Sequence, residues 1–378
     1  MVCAGLCVGC PSQRIEETPP TTAPSTATPT NGPAPASSSP SLVVIPSTNA
    51  PSGSPAPVDP ALAHLPTPSR ALGTSTAGLE FGAGGVVTSV EAQATRAGTA
   101  ILEAGGNAVD AAVATALALA VTHPSAGNLG GGGFLLVKKK DGIEAIDFRE
   151  DSPSRLTPAL FQQMIARGAE DGAAVGVPGT PAGLHLAHAR HGRLPWSRVV
   201  APALELAKKG FVVGPRQALV IGWAKKGLTR SLAGRELFFP GGRSPSAGSR
   251  LDNPRLASAL ERLAASGPAG FYEGPTASDL VRSLGTHGLI TEADLKRYEA
   301  RIRTPLSFDF LGFRVVTMPP PSGGGVVLTQ ALRQLEALRV QDTQPGSAAR
   351  VHLVAETSRR AQAERRLFVA DPARTSEE

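Results

Sequence analysis

The sequence predicts an α/β (α+β) fold that is rich in helix, and three observations carry that expectation. Residues 108–121 are Ala, Val and Leu almost without interruption, which describes a helix with no polar face and hence one buried on all sides. Residues 134–137 and 143–148 are short apolar runs joined by Asp141-Gly142, a pair favoured in tight hairpin turns. Helix-start signals, a capping side chain or an early proline, then recur through the rest of the chain.

Taken in order, residues 84–88 read as a short strand. Ser89 is placed to cap a helix through Glu103, with Glu91 in its first turn. Ala94, Ala97, Gly98 and Ile101 follow the i, i+3, i+4, i+7 spacing, a stripe of small residues suited to close helix packing. Asn107 sits where an N-cap belongs, with Asp110 as its reciprocal partner. The helix that follows is shorter than the roughly 20 residues that span a bilayer, so it is a core helix. His123-Pro124 ends it, because the residue before proline is pushed out of the helical region.

Gly130 to Gly133 follow, and two readings stay open for them. Either the chain passes close to another backbone there, or the glycine N–H groups form a nest for an oxyanion or phosphate. Neither a P-loop nor a dinucleotide fingerprint fits, since no Lys-Ser or Lys-Thr follows and the glycines precede a strand. Alternation in the second hairpin strand puts Ile146 and Phe148 on one face and turns Arg149 the other way. Arg149 is the candidate ligand contact: either a solvated surface residue or a planar fork for a carboxylate.

The connection 151–158 is extended, and a helix is expected over 159–167. Val175-Gly-Val-Pro-Gly-Thr-Pro-Ala-Gly183 is a loop whose shape glycine and proline fix, with Thr180 as a cap or a ligand contact and Pro181 at the first helical position. Helices are expected over 182–191 and 196–209, the second closed by Gly210. His185, His188 and His191 repeat at i, i+3, but with Ala and Leu between them they read as surface or half-buried histidines rather than metal ligands. Residues 211–250 read as a basic, glycine-rich, loop-dominated excursion. Helices over 254–265, 276–284 and 291–298 come next, the last opening with Thr-Glu-Ala-Asp. A strand pair, 306–309 and 313–317, turns at Leu311-Gly312. Ser322 then caps, or contacts a ligand at, a helix running to Leu338, and an arginine-rich helix covers 348–368.

Several stretches are recognisable together. GGNAVDAAVA, THPSAGNLGGGGF and AIDFRE resemble the large-subunit segment of the γ-glutamyltransferases, the glutathione hydrolase family of N-terminal nucleophile hydrolases. Asn253-Pro-Arg255, Gly267-Pro-Ala-Gly-Phe-Tyr272 and Ile290-Thr-Glu-Ala-Asp-Leu295 resemble further family elements in the same order. The resemblance covers Gly78 to Pro372 and implies a four-layer αββα sandwich, of which this chain is the incomplete, large-subunit half. It implies that Arg149 binds the α-carboxylate of a γ-glutamyl substrate such as glutathione. The nucleophile it implies is a threonine freed by self-cleavage at the start of a small subunit, in a Thr-Thr-His type motif that does not occur in these 378 residues. No catalytic residue is therefore expected in this chain, no metal or cofactor is implied, and the small subunit is the expected partner. Related amidases acting on cephalosporins or poly-γ-glutamate, and a non-catalytic surface-tethered remnant, are the alternatives.

Upstream, three regions are expected: 1–11 as an export or lipoprotein signal remnant, 12–77 as a disordered Pro/Ser/Thr-rich tether, and 78–378 as the folded domain. The tether has too little apolar surface to offset the entropy of ordering. All three cysteines lie before it. Val8-Gly9-Cys10 looks like the site at which bacterial lipoproteins are cleaved and lipidated, which implies a periplasmic, secreted or membrane-tethered protein anchored through Cys10. The C-x3-C-x2-C spacing also matches iron–sulfur ligation, but a cluster hung on such an arm would lack burial. A net charge of +6 invites a nucleic-acid reading, yet the arginines are scattered and only 4% of residues are aromatic, so no nucleic-acid partner is expected.

Overall fold

In the computed structural model, which describes residues 44–45, 85–168 and 172–370, helix α1 (Ala92–Glu103) packs along helix α2 (Ala108–Thr122). The signal 1–11 and the tether 12–77 lie outside the described residues, apart from a two-residue strand β1 (Val44–Ile45). Residues 85–88 form no strand, and α1 is capped two positions later than the expected Ser89: Glu91 is the N-cap. Ser89 Oγ bonds instead to the Glu91 carbonyl (2.9 Å) and to the Thr95 hydroxyl (2.8 Å), so its side chain holds the approach to the helix rather than its first turn. The small-residue stripe is buried as expected, and Gly98 leaves no room for a side chain against Thr115 of α2.

Helix α2 opens with a full capping box. Asn107 Oδ1 accepts from Val109 N (2.9 Å) and Asp110 N (3.1 Å), while Asp110 Oδ2 accepts from Asn107 N (2.9 Å). The Asp110 carboxylate is fully buried and also accepts the backbone N–H groups of Arg193 and Leu194. One acid thus caps α2 and pins a loop more than eighty positions along the chain, which explains a carboxylate in an otherwise apolar core. His123 closes the helix.

The hairpin follows as strands β2 (Phe134–Lys139) and β3 (Gly142–Asp147), in register from Phe134 opposite Asp147 to Lys139 opposite Gly142. Helix α3 (Pro158–Arg167) is capped by Thr157. Helix α4 (Thr180–His191) starts two residues before the expected 182, and the capping position belongs to Gly179, not Thr180. Helix α5 (Trp196–Lys209) matches its expected span. The excursion that follows is more ordered than expected: strands β4 (Phe211–Val212) and β5 (Arg250–Leu251) pair antiparallel and enclose helices α6 (Pro215–Trp223), α7 (Lys225–Leu228) and α8 (Leu232–Phe238). Its glycines and prolines separate these short helices instead of dissolving them.

Helices α9 (Pro254–Ser266), α10 (Ala269–Tyr272), α11 (Gly274–Ser283) and α12 (Glu292–Arg297) lead to a strand that the sequence reading missed, β6 (Arg301–Arg303), which joins the free side of β3 with Ile302 opposite Ile146. Strands β7 (Leu306–Phe310) and β8 (Phe313–Thr317) turn at Leu311 and Gly312, both at positive φ, and β1 lies on the other side of β8. Helices α13 (Gly323–Ala337) and α14 (Ala348–Phe368) complete the described chain. The main core gathers Val113, Leu117, Ile146, Val199, Leu260 and Leu295, so α2 is packed among helices and shares its core with the hairpin through Ile146.

Glu144 of β3 locks the hairpin to α4. Its carboxylate takes Arg190 Nε (2.9 Å) and Nη2 (2.8 Å) as a fork, and His191 Nε2 at 2.8 Å. The Arg190 bonds, against the opposing effect of burial and with His191 adding to them, lower the Glu144 pKa from 4.5 to about 2. His188 instead meets Leu194 O (2.8 Å), and His185 packs edge-on to Trp196. The three histidines thus serve three different structural contacts.

Two outcomes follow. Asp110→Ala strands three backbone donors and should cost about 2–4 kcal/mol, read as a lowered melting temperature. For Glu144, a depressed folded pKa contributes stability above the unfolded value of 4.5, and that contribution is lost as pH falls toward about 2. The melting-temperature gap between wild type and Glu144→Gln should therefore be widest above pH 5 (about half a unit over that value) and close through that acidic window. A gap that does not change with pH would remove the salt bridge as its cause.

Candidate functional site

Phe148 follows β3 directly, and the site is built around it. Its N–H donates to Gly133 O (3.0 Å) and its carbonyl accepts from Gly133 N (3.2 Å), extending the hairpin ladder by one pair. A Cβ at Gly132 would lie 2.5 Å from Phe148 O, and one at Gly179 would lie 2.0 Å from the same oxygen. On the ring side, Gly133 and Gly183 face Phe148 carbons at 2.9 and 2.0 Å by the same measure. Gly131 O accepts from both Gly179 N (2.8 Å) and Thr180 N (3.0 Å). Of the two readings open for the glycine run, close backbone passage is the one this geometry fills. It also explains the misplaced cap: no side chain fits at Gly179, and Thr180 is drawn into the first turn of α4, buried.

Arg149 leaves this crossing on the opposite side from Phe148, which is buried, and its own side chain is exposed. Its backbone is fixed twice. Asp147 Oδ1 accepts from Arg149 N (3.1 Å), and Arg149 O accepts from the Tyr298 hydroxyl (2.8 Å). The other oxygen of Asp147 takes Arg303 Nε at 2.8 Å, so the new strand β6 supplies the counter-charge that holds Asp147 in place. The guanidinium spends one donor on Pro321 O (3.2 Å), just before α13. Among the described residues no carboxylate pairs with it. Five donors in a rigid fork leave capacity for an incoming acid group.

Tyr298 stacks on Tyr272 with ring centroids 5.8 Å apart and planes 6° from parallel. The Tyr272 hydroxyl donates to Pro178 O (2.9 Å) and accepts from Ala182 N (3.3 Å), tying the pair to the loop that meets Gly131. Burial first, and then the neighbouring phenol and the acids Asp147, Asp151 and Glu150, push the Tyr298 pKa well above its ordinary value. Tyr298 therefore stays a hydrogen-bond donor at any physiological pH.

Two open clefts flank this region. One of about 280 Å³ lies at the far end of the hairpin, between Lys139, Glu144, Arg303 and Pro305. A smaller one of about 70 Å³ lies between Asp151, Val177, Asp294 and Tyr298. Arg149 lines neither; it stands at the surface beside the Pro321 loop. Ser322 occupies the N-cap of α13 but makes no side-chain capping bond. The sequence singles out Arg149 as the candidate but not the residues that hold its strand end, Asp147, Tyr272, Tyr298 and Arg303. One signal was available: these are the only two tyrosines in 378 residues, and both converge here.

Comparison with known proteins places residues 94–378 on the family model described as gamma-glutamyltranspeptidase. A glutathione hydrolase proenzyme of Escherichia coli is 41% identical over 298 residues, which make up 76% of this chain and 51% of the relative. The chain spans about half the length of the curated relatives it matches. Among solved structures, the Helicobacter pylori gamma-glutamyltranspeptidase matches with a TM-score of 0.75 at 32% identity, covering 79% of this chain and 88% of that one. A cephalosporin acylase from Bacillus halodurans matches with a TM-score of 0.67 at 29% identity, over 75% of this chain and 55% of that one.

Replacing Tyr298 with Phe removes the donor to Arg149 O while keeping the stack. The expected cost is about 1 kcal/mol, together with faster amide exchange at Arg149 and Glu150. Unchanged exchange there would show that the hydroxyl does not hold this strand end.

Proposed function

The chain belongs to the γ-glutamyltranspeptidase family, and from that premise we propose that it is the large-subunit part of an enzyme that cleaves γ-glutamyl amides such as glutathione. The γ-glutamyl group passes to water, an amino acid or a peptide. Its α+β fold is that of the N-terminal nucleophile hydrolases. The observation that carries the functional reading is Arg149: a surface guanidinium on a backbone held by Asp147, Tyr298 and the glycine crossing, with no acid paired to it among the described residues.

In this reading the Arg149 fork takes the substrate α-carboxylate and sets the distance from that group to the γ-carbonyl. The attacking hydroxyl belongs to a threonine at the start of a small subunit, whose free amine takes the proton as the hydroxyl adds to the carbonyl. Collapse of the tetrahedral intermediate releases the leaving amine with that proton and leaves an acyl ester for water or an acceptor amine. The 378 residues contribute substrate orientation and no reacting atom. The E. coli relative is itself a proenzyme, which supports a second subunit as partner. We also place the protein outside the cytoplasm, tethered through Cys10; mass spectrometry of the native N-terminus decides whether that residue is acylated.

A second reading, an amidase acting on cephalosporin or poly-γ-glutamate amides, draws on the likeness to the cephalosporin acylase. A panel of γ-glutamyl, cephalosporin and poly-γ-glutamate substrates separates the two.

For the full-length enzyme, Arg149→Ala should raise KM for γ-glutamyl donors about 10- to 100-fold, the worth of one charge-assisted bidentate contact. The effect on kcat should be smaller, since the contact exists in ground and transition states alike. An unchanged KM would remove Arg149 from the binding site.

A further inference from the structure

We infer that the α6–α8 excursion is a docking surface for an anionic lipid bilayer. Between Glu205 and Glu236 the sequence holds seven lysines and arginines and no acid. Lys208 and Lys209 are paired with Glu261 and Glu205, but the remaining basic residues sit on the excursion itself. Three of its large apolar side chains are turned outward as well: Trp223 is 80% exposed, Leu232 60% and Leu219 59%.

The arrangement is ordered. Along α6, Arg216, Leu219 and Trp223 fall at i, i+3 and i+7, one outward stripe. The opposite face carries Gln217 and Ile221, both buried, with Gln217 Nε2 donating to Thr122 O (2.8 Å). The helix is therefore seated on the end of α2 by its inner face, and the outer stripe is what remains. Lys226 is exposed just beyond Trp223, and the Lys225 ammonium bends back over the Phe239 ring and toward Gly242 O. Grouped exposed apolar side chains mark an interaction site.

Charge and shape together select the occupant. An indole and a leucine in line with Arg216, with Lys226 just beyond, match a bilayer surface, where tryptophan settles at the headgroup level and lysine and arginine meet anionic lipids. Nucleic acid would call for stacking platforms, and a single tryptophan offers none. Attachment is peripheral, because among the described residues no helix is long and apolar enough to cross a membrane. The excursion's hydrogen bonds to the body go to α1, α2, α5 and α9, through Gln93, Thr122, Lys209 and Arg255, and not to the sheet that precedes Arg149. Docking there leaves the candidate site uncovered by the membrane, and the inference does not depend on the proposed activity.

The test uses the full-length protein carrying Cys10→Ser, so that no acyl chain at that position contributes. It is mixed with vesicles of phosphatidylcholine alone and of phosphatidylcholine with phosphatidylglycerol. Expected is co-sedimentation with the anionic vesicles only, weakening as salt is raised. A blue shift of tryptophan emission should accompany it, absent in Trp223→Ser. Trp196 is held inside by its bond to Leu263 O and gives no such shift. The double variant Leu219→Ser/Trp223→Ser should lose about tenfold or more of the partitioning at an unchanged melting temperature, and Lys226→Glu should lose a smaller part. The inference is overturned if the parent protein stays in solution with anionic vesicles or if the double variant binds as well as the parent. It is equally overturned if a single-stranded oligonucleotide is bound in place of the vesicles.

Discussion

The packing of four glycines against one phenylalanine is the constraint on which the rest of the structure depends. Gly132, Gly133, Gly179 and Gly183 each approach Phe148 so closely that a single added carbon would overlap it. Three segments meet there: the run before the hairpin, the end of the hairpin, and the loop that starts α4. Gly131 O joins the first to the third through two backbone bonds. Interiors are close-packed and transmit displacement, so Phe148 cannot shift without moving α4, and Arg149 inherits that rigidity through one peptide bond.

Charge then completes what packing begins. Asp147 faces both ways, accepting the Arg149 amide with one oxygen and the Arg303 side chain with the other. Both partners of the Asp147–Arg303 pair are largely shielded from water, so losing either would leave a shielded charge uncompensated, a costly state. At the other end of β3, Glu144 performs a similar task with Arg190 and His191. A strand held by an ion pair at each end and by glycines at its exit presents its terminal guanidinium at a fixed place. In the proposed enzyme that is what substrate orientation requires.

What could be read from the sequence was whatever local chemistry decides. The Asn107–Asp110 box, the Thr-Glu-Ala-Asp helix start at 291–294, the Asp141-Gly142 turn and the bounds of the final helix all came from residues within a few positions of one another. What could not be read depends on distant partners. Strand β6 is three residues with charged ends, and it becomes a strand only because β3 offers an open edge more than 150 positions earlier. Thr180 resembles a cap in every local respect, and it loses the role because the preceding position abuts the Phe148 carbonyl. The loop-rich reading of the excursion failed because Gly and Pro were counted as breakers, whereas Pro215 sits in a helix's first turn, where no amide is missed. Arg149 itself was legible as a residue, but the acid and tyrosines that hold it were not, since nothing near them in the chain points to it.

The stacked tyrosines have a spectroscopic consequence. The sequence holds only two phenol side chains, and the fold sets them face to face within one small region. Near-ultraviolet dichroism from phenols in this polypeptide, and their ultraviolet resonance Raman bands, therefore originate at a single location. A change in those signals during refolding would time the moment at which the strand end, the α4 loop and the segment after α12 come together, without any label being introduced.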